Sequence, residues 1–145
     1  VCVCVFVCVP GLHVGRLPRT SNDIPHNTTL IVDLTAEFPA HPTVLFPSLP
    51  SVSSWSYLCC PSFDTLAPTH IDLVCETLER MVAETNGGIY VHCAFGHGRS
   101  ATFAAAWLIL KGHAENIEQA EMLMQQIRPT VGLNTFQKAF FRTVF

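Results

Sequence analysis

Gly88-Ile89-Tyr90-Val91-His92-Cys93-Ala94-Phe95-Gly96-His97-Gly98-Arg99-Ser100, running on into Ala101 to Leu110, is the stretch on which the fold turns. A short apolar run enters a glycine-containing loop, and an apolar run of helical length leaves it. The segment therefore reads as strand, loop, helix. A loop of that shape turns successive backbone N–H groups inward and sits at the positive end of a helix, so it holds an anion. Cys93 stands at its entrance and Arg99 at its exit. The same amides, the helix terminus and Arg99 favour a thiolate, whereas an ordinary thiol of pKa about 8.5 is only about 3% ionised at neutral pH. Such a loop binds a tetrahedral oxyanion and aims a nucleophile at its central atom.

Outward from this loop, Val1 to Val9 alternates β-branched residues with cysteine and reads as a strand, followed by a Pro10-Gly11 turn and a short strand over Leu12 to Arg16. Ser21 to Thr28 is a surface loop, and Thr29 to Leu34 is a buried strand by its continuous β-branched run. Prolines at 39, 42, 47 and 50 make Pro39 to Ser54 a long loop, of a kind that tends to serve as a wall or lid. Trp55 to Cys60 reads as another strand. Thr69-x-x-Asp72 forms a capping box for a helix from about His70 to Thr85, which stops at Asn86-Gly87-Gly88. Its Ile71, Val74, Leu78, Met81 and Val82 fall on one face. Arg99 to Lys111 is apolar all round, which predicts the buried central helix, and Gly112 ends it. Glu115 to Ile127 is amphipathic and closed by Arg128-Pro129, and Asn134 caps a last helix through Phe145. Strands interleaved with helices predict an α/β fold with a central, mostly parallel sheet of four to five strands flanked by helices. The site falls at the carboxyl end of a central strand.

At 145 residues the chain is expected to form one domain, residues 1–145. Nearly half the residues are apolar and mean hydropathy is +0.34. No apolar run approaches the roughly 20 residues that a bilayer requires. A first residue of Val rather than Met is compatible with an upstream anchor or domain, which leaves membrane association open. Net charge of −3 and a pI of 6.1 argue against a general nucleic-acid binder. The seven cysteines (2, 4, 8, 59, 60, 75, 93) show no Cys-x-x-Cys pair. Histidines 13, 26, 41, 70 and 113 show no ligand spacing either, so neither a metal nor a cofactor is expected. Chemistry on a free thiolate places the chain in a reducing compartment, the cytoplasm, with the other cysteines mostly as small core residues. The Asn27-Thr28-Thr29 sequon then goes unused. Cys59 and Cys60 are the candidates for trapping an oxidised Cys93 as a disulfide.

His92 to Ser100 resembles the signature of the cysteine-dependent protein tyrosine phosphatases, and the ending Arg99-Ser100-Ala101-Thr102 is similar to that of their dual-specificity branch. The likeness covers most of the chain. Arg128-Pro129-x-x-x-x-Asn134-x-Phe136-Gln137 looks like that family's closing segment, and Asp33 to Glu37 occupies the place of its early strand and loop. The resemblance implies a tyrosine-phosphatase-like fold and a phosphomonoester hydrolase working through a phosphocysteine. It implies a phosphotyrosine or phosphoserine/threonine protein as partner, with a phosphoinositide or small phosphorylated metabolite as the alternative, and a monomer. Lipid-directed relatives usually carry lysines in the loop, where this chain has Ala94, Phe95, His97 and Gly98.

By the same resemblance Cys93 is the nucleophile and Arg99 grips two phosphoryl oxygens with its planar fork. Ala94, Phe95, Gly96, His97, Gly98 and Arg99 offer backbone N–H groups to the phosphate. Asp64 is the general acid: it follows a strand, lies between prolines, and precedes Cys93 by about thirty residues. Ser100 helps expel the thiolate, and His92 hydrogen-bonds backbone near Cys93 and shapes the loop. His97 is either a loop-bracing or solvated imidazole or, when protonated, added charge toward substrate. Glu37 is a brace for Arg99 or Arg16, or an ordinary surface ion pair. Arg128 meets either a second substrate charge or its own helix end. Two further classes compete with the hydrolase: a silent phosphate-binding module, and a thiol-based oxyanion reductase or sulfurtransferase.

Overall fold

The computed structural model describes residues 5–39, 44, 55–64 and 70–144. Residues 1–4 of the expected first strand, most of the 39–54 loop, Thr69 of the capping box and Phe145 lie outside the described residues.

Five strands form one sheet: β1 (Val5–Val9), β2 (Leu12–Arg16), β3 (Thr28–Thr35), β4 (Ser56–Ser62) and β5 (Gly88–Cys93), in spatial order β1-β2-β5-β3-β4. β1 runs antiparallel to β2 and the remaining pairs are parallel. The expected mostly parallel α/β sheet is the one observed. β5 is central and buried at all six positions, as strands covered on both faces are. Its side chains alternate. Ile89, Val91 and Cys93 enter the main core with Leu30, Val32 and Leu34 of β3, while Tyr90 turns to a smaller cluster with Ile24 and Ile31. β4 continues through Pro61 to Ser62, past the expected end at Cys60. It is an edge strand, where a residue lacking N–H is tolerated.

Four helices flank the sheet among the described residues: α1 (Ile71–Ala83), α2 (Arg99–Leu110), α3 (Ile117–Ile127) and α4 (Thr135–Val144). The N-cap of α1 is His70, with no side-chain cap bond, so the helix starts one residue later than the Thr69-x-x-Asp72 box implies. α2 is buried from Arg99 to Leu108, as its all-round apolar sequence predicts. Ala101, Ala104, Ala105 and Ala106 expose nothing, and side chains that small let the helix backbone lie close to its neighbours. Trp107 donates its indole N–H to the Met81 carbonyl at 3.1 Å, which ties α2 to α1. The Asn134 cap is present and reciprocal. Its side chain accepts from Gln137 N–H at 2.9 Å, and Gln137 Oε1 accepts from Asn134 N–H at 3.0 Å. No described helix is long and apolar enough to cross a membrane.

Candidate active site

The loop between β5 and α2 sits at the carboxyl end of the central strand. Cys93 is the last residue of β5 and is almost fully buried. The Gly96 N–H donates to its Sγ at 3.2 Å, and Ser100 Oγ, in the first turn of α2, lies 3.4 Å from the same sulfur. One loop position requires glycine. Gly96 has φ +76°, and a Cβ there would stand 2.6 Å from the Gly15 carbonyl carbon. At Gly98 a Cβ would stand 2.7 Å from Gln137 Nε2, so α4 packs directly on the loop.

Arg99 is buried, and its five N–H bonds can be followed one by one. Nη1 donates to Glu37 Oε2 at 2.9 Å and to the Ser62 carbonyl at 2.9 Å, and Nη2 donates to Glu37 Oε1 at 2.7 Å. Nε has no hydrogen-bond partner, although Asp64 Oδ1 lies 3.6 Å away. Glu37 therefore takes the end of the fork. The Nε–H and the second Nη2–H, which lie parallel along one side, stay available for two oxygens of a tetrahedral anion. The Arg99 hydrogen bond holds the Glu37 carboxyl at about 2, far below the usual carboxylate range. Of the readings open for Glu37, the pair to Arg99 is the one formed.

Asp64 follows the end of β4 with its side chain more than half exposed, near the unused edge of Arg99. Beside these carboxylates opens a cleft of about 850 Å³, lined by Ala36, Pro61, Phe63, Ile71 and Leu73 among others. Phe95 projects from the loop, two-thirds exposed.

His92 points to the opposite face of the sheet from Cys93. Its Cα partner across the strands is Asp33, whose Oδ1 lies 3.9 Å from His92 Nε2. Burial pushes the imidazole below its usual pKa. The Asp33 carboxylate and the Cys93 backbone, through the expected hydrogen bond, both favour the protonated ring. Asp33 is fully buried and accepts from Thr35 N–H (2.9 Å), Thr35 Oγ1 (2.6 Å) and Tyr57 Oη (2.6 Å). Burial, then the Asp33 carboxylate, drives the Tyr57 phenol pKa upward. This network escapes a sequence reading because strand register, not spacing along the chain, assembles it.

His97 Nε2 stands 2.7 Å from Arg128 Nη2, so the loop-bracing alternative is the one formed. Cys59 and Cys60 lie on β4, separated from β5 by β3. Two strand spacings amount to about 9–10 Å. A disulfide needs Cα atoms within about 7 Å, so neither cysteine pairs with Cys93 as the sheet stands. Burial pushes both thiols above their ordinary pKa. Among the described residues no group of three or more His, Cys, Asp or Glu could hold a metal ion.

Residues 19–142 match the dual specificity phosphatase catalytic domain, and the chain belongs to that family. Membership implies cysteine-based phosphatase chemistry. Among solved structures it is similar to Tk-PTP in the active form, at 21% identity and a TM-score of 0.79, covering 99% of this chain and 97% of that one. PTPMT1 in complex with PI(5)P has 18% identity and a TM-score of 0.78, covering 97% and 94%. A point variant of human DUSP28 has 18% identity and a TM-score of 0.73, covering 97% and 92%. At these identities the likeness shows the fold. No curated protein matches the chain in sequence.

Proposed function

We propose that the chain hydrolyses phosphomonoesters of phosphotyrosine and phosphoserine/threonine proteins in a reducing compartment, the cytoplasm, by two in-line displacements at phosphorus. Cys93 attacks as the thiolate; the S–P bond forms as the ester O–P bond breaks, and Asp64 gives its proton to the departing oxygen. The Asp64 carboxylate then takes a proton from water, which attacks phosphorus and expels the sulfur. Ser100 Oγ hydrogen-bonds that sulfur as charge returns to it. Arg99 binds two phosphoryl oxygens through the Nε and Nη2 edge that Glu37 leaves open, and the loop amides stabilise the charge spread over the transition state. Buried His92, with Asp33 beside it, holds the strand end behind the nucleophile.

The observation that carries this reading is the convergence on one sulfur of the Gly96 amide and the Ser100 hydroxyl, with an arginine fork that has a free edge. A silent phosphate-binding module would keep the fork but would need neither the hydroxyl against the sulfur nor the nearby carboxylate. A reductase or sulfurtransferase is disfavoured because no second described thiol lies on a strand next to Cys93. Protein substrates are favoured by a loop without lysine and by Phe95 as an apolar wall for an aryl phosphate. The phosphoinositide bound by PTPMT1 keeps a lipid phosphate as the competing substrate.

The test is a panel of phosphotyrosine peptides, phosphothreonine peptides and phosphoinositide vesicles, with Cys93→Ser as control. Turnover of peptides in preference to vesicles is expected, with none by the variant. Preference for vesicles would replace the protein reading, and absence of turnover on every substrate would end it.

A further inference from the structure

We propose that Arg128 is a positioning residue of the phosphate loop: through His97 it holds the loop tip in place, and protonation of His97 releases the hold. The contact is 2.7 Å between Arg128 Nη2 and His97 Nε2. Arginine only donates, so Nε2 must supply its lone pair, the ring proton is on Nδ1, and the imidazole is neutral. The guanidinium is fixed from a second side, with its Cζ 5.9 Å from the centre of the Phe6 ring in β1. Across the loop, Gln137 of α4 packs on Gly98. The tip at residues 97 and 98 is thus gripped by two side chains from the segment after α3, both far from Cys93 in sequence.

The charge that acts on the His97 ring is that of Arg128. The loop of His97 carries Arg99 and the Cys93 sulfur, and the segment between α3 and α4 carries Arg128. The end of β2, whose backbone lies against Gly96, carries Arg16. Gln137 from α4 is neutral, and Lys138 beside it is paired with Glu121 at 2.8 Å. The carboxylates of the site, Glu37 and Asp64, lie against Arg99. A protonated ring would lose the lone pair that Arg128 uses and place two cations in contact. Burial, with Arg128, pushes the His97 pKa below the usual histidine value of 6.5. The hold is therefore intact at neutral pH and is lost as pH falls below that value. With the tip loosened, the loop amides lose their common aim at the phosphoryl group.

Histidine-ring nitrogen NMR reads the contact without any reference to activity. His97 is expected as the Nδ1–H tautomer with a pKa below 6.5, and Arg128→Met raises that pKa toward the ordinary value. Arg128→Gln keeps an N–H donor but drops the charge; it shifts the titration in the same direction and serves if Arg128→Met fails to fold. Affinity for orthovanadate at pH 7.5 supplies the second readout, and this arm alone rests on the phosphatase reading. Arg128→Met is expected to weaken it about fivefold, with no further loss when Arg128→Met is added to His97→Ala. An unchanged His97 titration in both Arg128 variants overturns the proposal. So does an Arg128→Met loss that persists undiminished in the His97→Ala background, because Arg128 would then touch the ligand itself. Failure of the unaltered protein to bind vanadate would strike the phosphatase reading and leave the titration result standing.

Discussion

Glu37→Gln separates a brace from a competitor at Arg99. The carboxyl sits at about 2 against an ordinary 4.5, a gap that corresponds to about 3 kcal/mol of favourable interaction. Its side chain is 36% exposed, so solvent screens the pair and about 1–2 kcal/mol is the stabilisation to expect. Glutamine keeps one carbonyl acceptor and loses both the charge and the second acceptor. Arg99 then has more freedom to wander from the phosphate, and a loss of about 1–2 kcal/mol of preorganisation lowers kcat/KM by about 5- to 30-fold. The pH dependence follows from the sign of the perturbation. A carboxyl held below its ordinary pKa stabilises the fold above about pH 4.5, and that contribution is lost as pH falls toward 2. The assay is urea unfolding of both proteins from pH 3 to 7, with kcat/KM on p-nitrophenyl phosphate and vanadate affinity at pH 6 to 7. The stability gap should narrow in acid, and vanadate should bind the variant more weakly. Tighter vanadate binding would mean that Glu37 occupies the phosphate's place on Arg99, which would refute the assignment of the free edge.

Asp64→Asn should slow hydrolysis of phenyl phosphate by about 10²- to 10³-fold and of an ester with a good leaving group far less; equal losses would remove Asp64 from the acid role. Ser100→Ala should slow phosphocysteine breakdown about tenfold, so that rapid mixing with p-nitrophenyl phosphate shows a burst; a steady rate from the first turnover would count against it. Gly96→Ala combines an unfavourable φ with a backbone clash and should cost about 2–4 kcal/mol. For a chain of this size that lowers Tm by about 5–15 °C, and a Tm within the error of the parent's would show that the loop accommodates a Cβ.

What was legible in the sequence is what local pattern encodes. The strand–loop–helix around Cys93, the all-buried α2 and the Asn134 cap each depend on residues within a few positions of one another. What was not legible is what register brings together. Asp33 meets Tyr57 across 24 residues, and Glu37 meets Arg99 across 62. No periodicity announces such pairs. A weak signal was present at Glu37, an acidic residue just past a strand that ends beside the loop, yet spacing alone could not choose its cation. At α1 the Thr69-x-x-Asp72 pattern matched a capping box, but the N-cap falls on His70. At β4 a proline suggested an end, and only the strand's place at the sheet edge explains why pairing continues past it.

The burial of α2 divides the site by timescale. Amides walled in on every side exchange with deuterium only when the whole fold opens, so those of α2 should be among the last in the chain to exchange. The sulfur's hydroxyl neighbour and the guanidinium both stand on the first turn of that helix. The two carboxylates stand instead on exposed residues just past the ends of β3 and β4. Heat or denaturant should therefore disconnect the proton donor from the nucleophile well before the nucleophile's own surroundings dissolve.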